Sequence, residues 1–157
     1  MITYPQEFRS KSNSNNQEPI FVIELSFDLL NADTHFLTTH DVPGLAGSIS
    51  NRSLKIISNS SQELNPDKAN STIGSIKFEA LDVNLTDVIR SKLTENKGLK
   101  GKRVRVHKGY RGLLWEDFQP TDTYIVDNDI SYKNGSYSFN CGDIQRTTRR
   151  KIFVVKE

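Results

Sequence analysis

His35, His40 and Asp41 form the densest gathering of metal-ligating residue types in the chain. Two histidines five positions apart share no helix face, and no cysteine or further ligand at a familiar spacing joins them. They read as solvated loop histidines, not a zinc site. Cys141 has no histidine beside it in a nucleophile motif, and such residues pack as small hydrophobes more often than they react. Asp117, Asp122, Asp127, Asp129 and Asp143 supply carboxylates, but glycoside hydrolysis needs two of them at a set separation across a sugar. Scattered along the chain, they read as solvated strand and loop faces. Neither Gly-x-Gly-x-x-Gly nor a lysine-bearing phosphate loop occurs. His107 alternates with valines and reads as an exposed strand residue. With no constellation for catalysis, the expectation is a protein that is not an enzyme and carries no metal or cofactor.

A ligand face is the other chemistry these residue types could support. Arg103, Arg105, Tyr110 and Trp115 could line an OB-like barrel for single-stranded nucleic acid or a carbohydrate-binding sandwich. Glu116 and Asp117 follow directly, which weighs against the nucleic-acid form. The 110–115 segment also reads as a source of core residues through Leu113, Leu114 and Trp115. A third reading is an interface loop, because Trp, Tyr and Arg are enriched at binding hot spots.

Periodicity indicates what must position these groups. In residues 21–29 the odd positions are all large and apolar, and the even ones turn polar from Glu24 onward, as in a strand with one buried and one wet face. A loop carrying Asn31, Asp33, Pro43, Gly44 and Gly47 follows, then one or two short strands within 48–58. Residues 59–67 are turn chemistry throughout. Alternation returns over 72–81, with Ile76, Phe78 and Ala80 on one side; Gly74 marks a bulge or close backbone approach.

The one clear helix starts at Asn84, with Asp87 in its first turn, and carries Leu85, Val88, Ile89 and Leu93 on one face. Gly98 ends it. Val104 and Val106 then alternate with Arg103, Arg105 and His107. Segments 124–132 and 136–141 flank Asn134-Gly135, the pair favoured by a two-residue type I′ hairpin. That turn places Tyr132 opposite Tyr137 and Ile130 opposite Phe139. The expected fold is mainly β, a closed barrel or sandwich of about seven strands with one flanking α-helix.

The chain has 157 residues, enough for one domain with a packed core. One cysteine excludes an intrachain disulfide and any multi-cysteine metal site. No apolar run approaches the roughly 20 residues of a membrane helix, and the N-terminus does not read as a signal peptide. A formal charge of +2 makes no general case for nucleic-acid binding. Residues 1–19 read as a flexible arm, since residues 10–18 have no apolar side chain to offset ordering entropy. Tyr4 and Phe8 give that arm something to bury against a neighbour.

Several segments in order carry a family resemblance. They are Gln62-Glu63-Leu64-Asn65-Pro66-Asp67, Thr72-Ile73-Gly74-Ser75-Ile76-Lys77-Phe78 and Gly101-Lys102-Arg103-Val104-Arg105-Val106. Asp143-Ile144-Gln145-Arg146 then runs on to Arg150-Lys151-Ile152-Phe153. Over residues 20–153 the chain resembles the N-terminal hub domain of phage tail-tip and baseplate hub proteins, the lambda minor tail protein L type. That resemblance implies a tail-tube-like fold that self-associates in a ring around the tail axis, as a trimer in the full protein. The ring would join the tube to host-recognition proteins, with DNA passing through its lumen without specific binding. It implies residence in the virion tail, after the host cytoplasm, with no membrane. Residues 154–157 would be a tail or a truncation point before a downstream region. In the lambda relative that region holds a cysteine-bound iron–sulfur cluster, which one cysteine cannot ligate. Subunit contacts are expected from Tyr4, Phe8, Tyr110, Arg111, Trp115, Arg146, Arg149, Arg150 and Lys151.

Overall fold

The fold is that of a computed structural model, described for residues 5–13, 18–27, 33–60, 74–81, 89–91, 94–95, 98–127 and 130–143. A short helix α1 (Gln6–Ser12) precedes strands β1 (Pro19–Ser26), β2 (Thr34–Thr38), β3 (Ser48–Ser50), β4 (Leu54–Ser60) and β5 (Ser75–Leu81). Then come β6 (Arg103–Tyr110), a 3₁₀ turn (Trp115–Asp117), β7 (Gln119–Val126), β8 (Ser131–Lys133) and β9 (Ser136–Asp143). They form one sheet in the order β3-β2-β1-β6-β7-β9-β5-β4, with β8 pairing to β9. Among the described residues only β2 and β3 pair in parallel.

The mainly β expectation holds, with nine strands among the described residues in place of about seven. A closed barrel does not follow: among the described residues the hydrogen-bonded path ends at β3 on one side and β4 on the other.

One face of the sheet carries the main core. Ile23 and Leu25 of β1, Val104 and Val106 of β6, Ile76 and Phe78 of β5, and Phe139 and Cys141 of β9 pack in one cluster. Phe78 lies opposite Phe139 in the ladder, their rings stacked 4.7 Å apart and 9° from parallel. Burying so wide a face takes a cover, and Ile89 and Leu99 supply part of it. Residues 89–91 and 94–95 are helical, within the expected 84–97 helix, and Gly98 has the left-handed φ of 104° that a stop needs. Asn84, Leu85, Asp87, Val88 and Leu93 lie outside the described residues.

The hairpin turn is as expected: Asn134 and Gly135 have φ of 53° and 77°, and Tyr132 pairs with Tyr137. The ladder ends one pair earlier than anticipated, at Ser131 and Ser138, so Ile130 is not paired with Phe139.

One strand, β2, runs where a loop was expected. The strand expected over 124–132 is split, β7 starting earlier at Gln119 and ending at Val126 before β8 begins at Ser131. In β2, Phe36 and Leu37 point to opposite faces and both find apolar neighbours, so no alternation marks the segment. The first half of β7 is polar, and Pro120 sits where its register against β6 slips by one residue. A residue without an N–H is tolerated at such a bulge. The bulged Thr121 donates its hydroxyl to the Val106 carbonyl at 3.3 Å.

The N-terminal arm contains structure of its own. A seven-residue helix is marginal in isolation, and α1 is held by Phe8, whose ring lies 5.3 Å from that of Tyr110. The Tyr110 hydroxyl donates to Ser12 Oγ at 3.3 Å. Glu7 near its start and Arg9 and Lys11 near its end suit the helix dipole.

Candidate interaction site on the outer face

The even positions of β1, expected to face water, are covered. Ile20 and Val22 join Phe8, Val42, Tyr110, Leu113 and Phe118 in a second cluster, flanked by Phe36, Leu45 and Trp115. This cover comes from α1, the segment after β2 and the 110–118 loop. Trp115 N–H donates to the Pro43 carbonyl at 2.9 Å, tying two of those segments together. Phe118 occupies the space a Cβ would need at Gly109: such an atom would stand 2.5 Å from its ring carbons.

Beside this apolar cover lies a buried polar group. Register places Glu24 between Phe36 of β2 and Arg105 of β6, with His107 one step along opposite Val22. His107 Nε2 lies 2.9 Å from Glu24 Oε2, and Arg105 Nη1 lies 3.6 Å from the same oxygen. The side chains of Glu24 and His107 are 10% and 9% exposed, that of Arg105 34%. Burial pushes the imidazole below its usual range, with Arg105 adding to the effect, against the opposing pull of Glu24. His107 is therefore neutral near pH 7, with Nε2–H donating to the carboxylate while Arg105 carries the balancing charge. The indole of Trp115 lies 4.8 Å from the imidazole and 5.6 Å from both Phe36 and Phe118. This corrects the reading of His107 as an exposed residue.

His35 is corrected likewise. It is a buried residue of β2, not a loop histidine, and its Nε2 lies 2.9 Å from Ser50 Oγ. His40 is exposed, as expected. A hydroxyl–imidazole pair is one element of nucleophilic catalysis, but His35 and Ser50 are 3% and 6% exposed. No group of three potential metal ligands occurs among the described residues. Cys141 is buried, and that burial pushes its thiol up to about 12.

Next to the polar group the surface opens into a cleft of about 420 Å³. Ile20, Tyr110, Leu113 and Phe118 give it an apolar floor; His40, Asp41, Arg52 and Arg111 stand around it. Arg52 adopts a left-handed φ of 55° in a turn that Thr38 holds, accepting Arg52 N–H at 3.3 Å and donating to Asn51 Oδ1 at 3.3 Å. Non-glycine residues keep such a conformation only where their surroundings enforce it. The Arg52 guanidinium pairs with Asp41. On the far side, Lys11 Nζ donates to the Arg111 carbonyl at 3.1 Å.

Of the residues expected at subunit contacts, Phe8, Tyr110, Arg111 and Trp115 come together here. Phe8 and Tyr110 bury their rings against each other within one chain, Trp115 is half-buried and Arg111 is exposed. Tyr4, Arg146, Arg149, Arg150 and Lys151 lie outside the described residues. Glu24, His107 and Arg52 were not anticipated. An acid opposite an Arg-x-Arg-x-His strand is the one sequence signal that pointed to the first two. The aromatic–basic ligand face does not form as anticipated: Tyr110 is buried, Arg105 is paired with Glu24, and Trp115 packs against His107 and Phe36.

The fold places the chain among mainly β proteins built on one open, mixed sheet. It is similar to a chain of the "Virion of native gene transfer agent (GTA) particle", with a TM-score of 0.54 and 11% sequence identity. The match covers 98% of this chain and 48% of that one, so the chain spans about half the length of its structural neighbour. No protein-family model matches the chain, and no curated protein does. At such identity the likeness is one of fold.

Proposed function

We propose that the protein is a structural subunit of a bacteriophage or phage-derived particle, acting as a hub domain at the tail tip. In this reading copies assemble in a ring around the tail axis and join the tail tube to host-recognition proteins. DNA passes through the lumen without specific recognition. The observation that carries the reading is the fold likeness, over 98% of the chain, to a chain of a gene transfer agent virion. Its histidines suit it too: His35 and His107 are buried in hydrogen bonds that tie strands of the sheet together. Among the described residues the sheet ends at β4, and a strand edge of that kind suits a subunit whose pairing is completed by assembly.

Electron microscopy of particles from the encoding strain, labelled with gold-tagged antibody to the chain, tests this. Label is expected at the tail end distal to the capsid, and removing the gene should leave particles without tail tips. Label on the capsid, or intact tails in the absence of the chain, would contradict the proposal.

A further inference from the structure

The cleft beside Tyr110 has a second use, independent of any ring. Its volume of about 420 Å³ falls within the roughly 300–1,000 Å³ of sites that enclose small ligands or inserted side chains. Its floor is apolar, through Ile20, Leu113 and Phe118. Its rim is unbalanced in charge: Arg52 and Arg111 line it, with Asp41 as the carboxylate among its lining residues. Asp41 is engaged by Arg52, and Arg111 makes no ion pair among the described residues. The turn fixes the Arg52 backbone, and Asp41 holds its guanidinium at the rim.

The geometry points to a docking site for a peptide segment of another protein that presents a large apolar side chain next to a carboxylate. The apolar group enters between Leu113 and Phe118, and the carboxylate meets Arg111 in the two-pronged geometry a guanidinium offers. The positive surplus selects this occupant over a neutral or basic segment. A second copy carries similar chemistry in Leu114, which is 49% exposed, and the exposed Glu116. That pair adjoins Leu113 on the wall of the same cleft, so self-docking would have to be reciprocal and two-fold. The peptide of another protein is the occupant assigned here.

The test uses the full chain and an array of fluorescent heptapeptides. Their centres pair Leu, Phe or Ser with Glu, Lys or Ser in Gly–Ser flanks, and binding is read by polarisation. Leu–Glu and Phe–Glu peptides are expected to bind about tenfold more tightly than the Lys or Ser counterparts, the scale of one charge-assisted contact. Arg111→Glu should abolish that preference or turn it toward Lys; Arg52→Ala should weaken binding while circular dichroism stays unchanged. Equal binding of Glu and Lys peptides, binding indifferent to Arg111→Glu, or no binding at all would overturn the proposal. So would self-association in sedimentation that Glu116→Lys abolishes.

Discussion

The two faces of this sheet are buried by different means. The inner face relies on strand residues meeting across the ladder, with Phe78 on Phe139 and Ile23 opposite Val106, and it is apolar almost to its edge, where His35 bonds Ser50. The outer face over β1 and β6 is covered from outside the sheet, by a short helix and two loops, and it encloses a carboxylate, an imidazole and part of a guanidinium. Burial of apolar surface is non-directional and tolerates local loosening. A buried polar group has to keep its partners, because each one left unpaired costs more than the bond contributed. The inner core should therefore dominate stability, and the outer cover should be conditional on Glu24 and His107 remaining in register.

Substitutions of graded severity can break or sharpen that contrast. The largest expected loss is in the inner face: Phe139→Ala should cost about 3–5 kcal/mol in equilibrium denaturation, the range for deleting a fully buried phenyl ring. On the outer face, Glu24→Ala should cost about 2–3 kcal/mol, because it strands His107 and Arg105. Glu24→Gln, which retains an acceptor for His107, should cost less. If Glu24→Ala matched Phe139→Ala, the two faces would contribute alike and the contrast would fail. Gly109→Ala comes next: the added methyl meets the Phe118 ring, and shifting that ring should cost about 1–3 kcal/mol. An unchanged melting curve for that variant would mean the 110–118 loop does not press on the sheet.

The inner face was legible because its determinants are local. Alternation of Ile76, Phe78 and Ala80 and the Asn134-Gly135 turn each specify geometry within a few residues, and both appear as read. The outer face was not legible. Glu24 looks like a wet position until its partner His107 is met by Trp115, which lies in a segment without periodicity. In β2, apolar side chains on both faces erase the very alternation that would reveal a strand. Tyr110, Arg111 and Trp115 could be singled out by residue type alone. Arg52 could not, since its left-handed turn has no glycine or other marker in the sequence.

His107 also makes the contrast dependent on pH. Its folded pKa lies below the ordinary value of 6.5, so under acid the unfolded chain binds the proton more readily than the folded one. Stability from this group is complete above pH 6.5 and is lost as pH falls from there through the depressed folded value. The chain carries one tryptophan and one cysteine, and they report separately: Trp115 lies against His107 on the outer face, and Cys141 sits in the inner core.

The most direct measurement follows Trp115 emission during acid titration while Cys141 is probed with a thiol reagent at each pH. The account predicts an emission change with its midpoint below 6.5, absent in His107→Gln, while Cys141 stays unreactive throughout that step. A midpoint at or above 6.5, persistence of the change in His107→Gln, or Cys141 becoming reactive in the same step would contradict it.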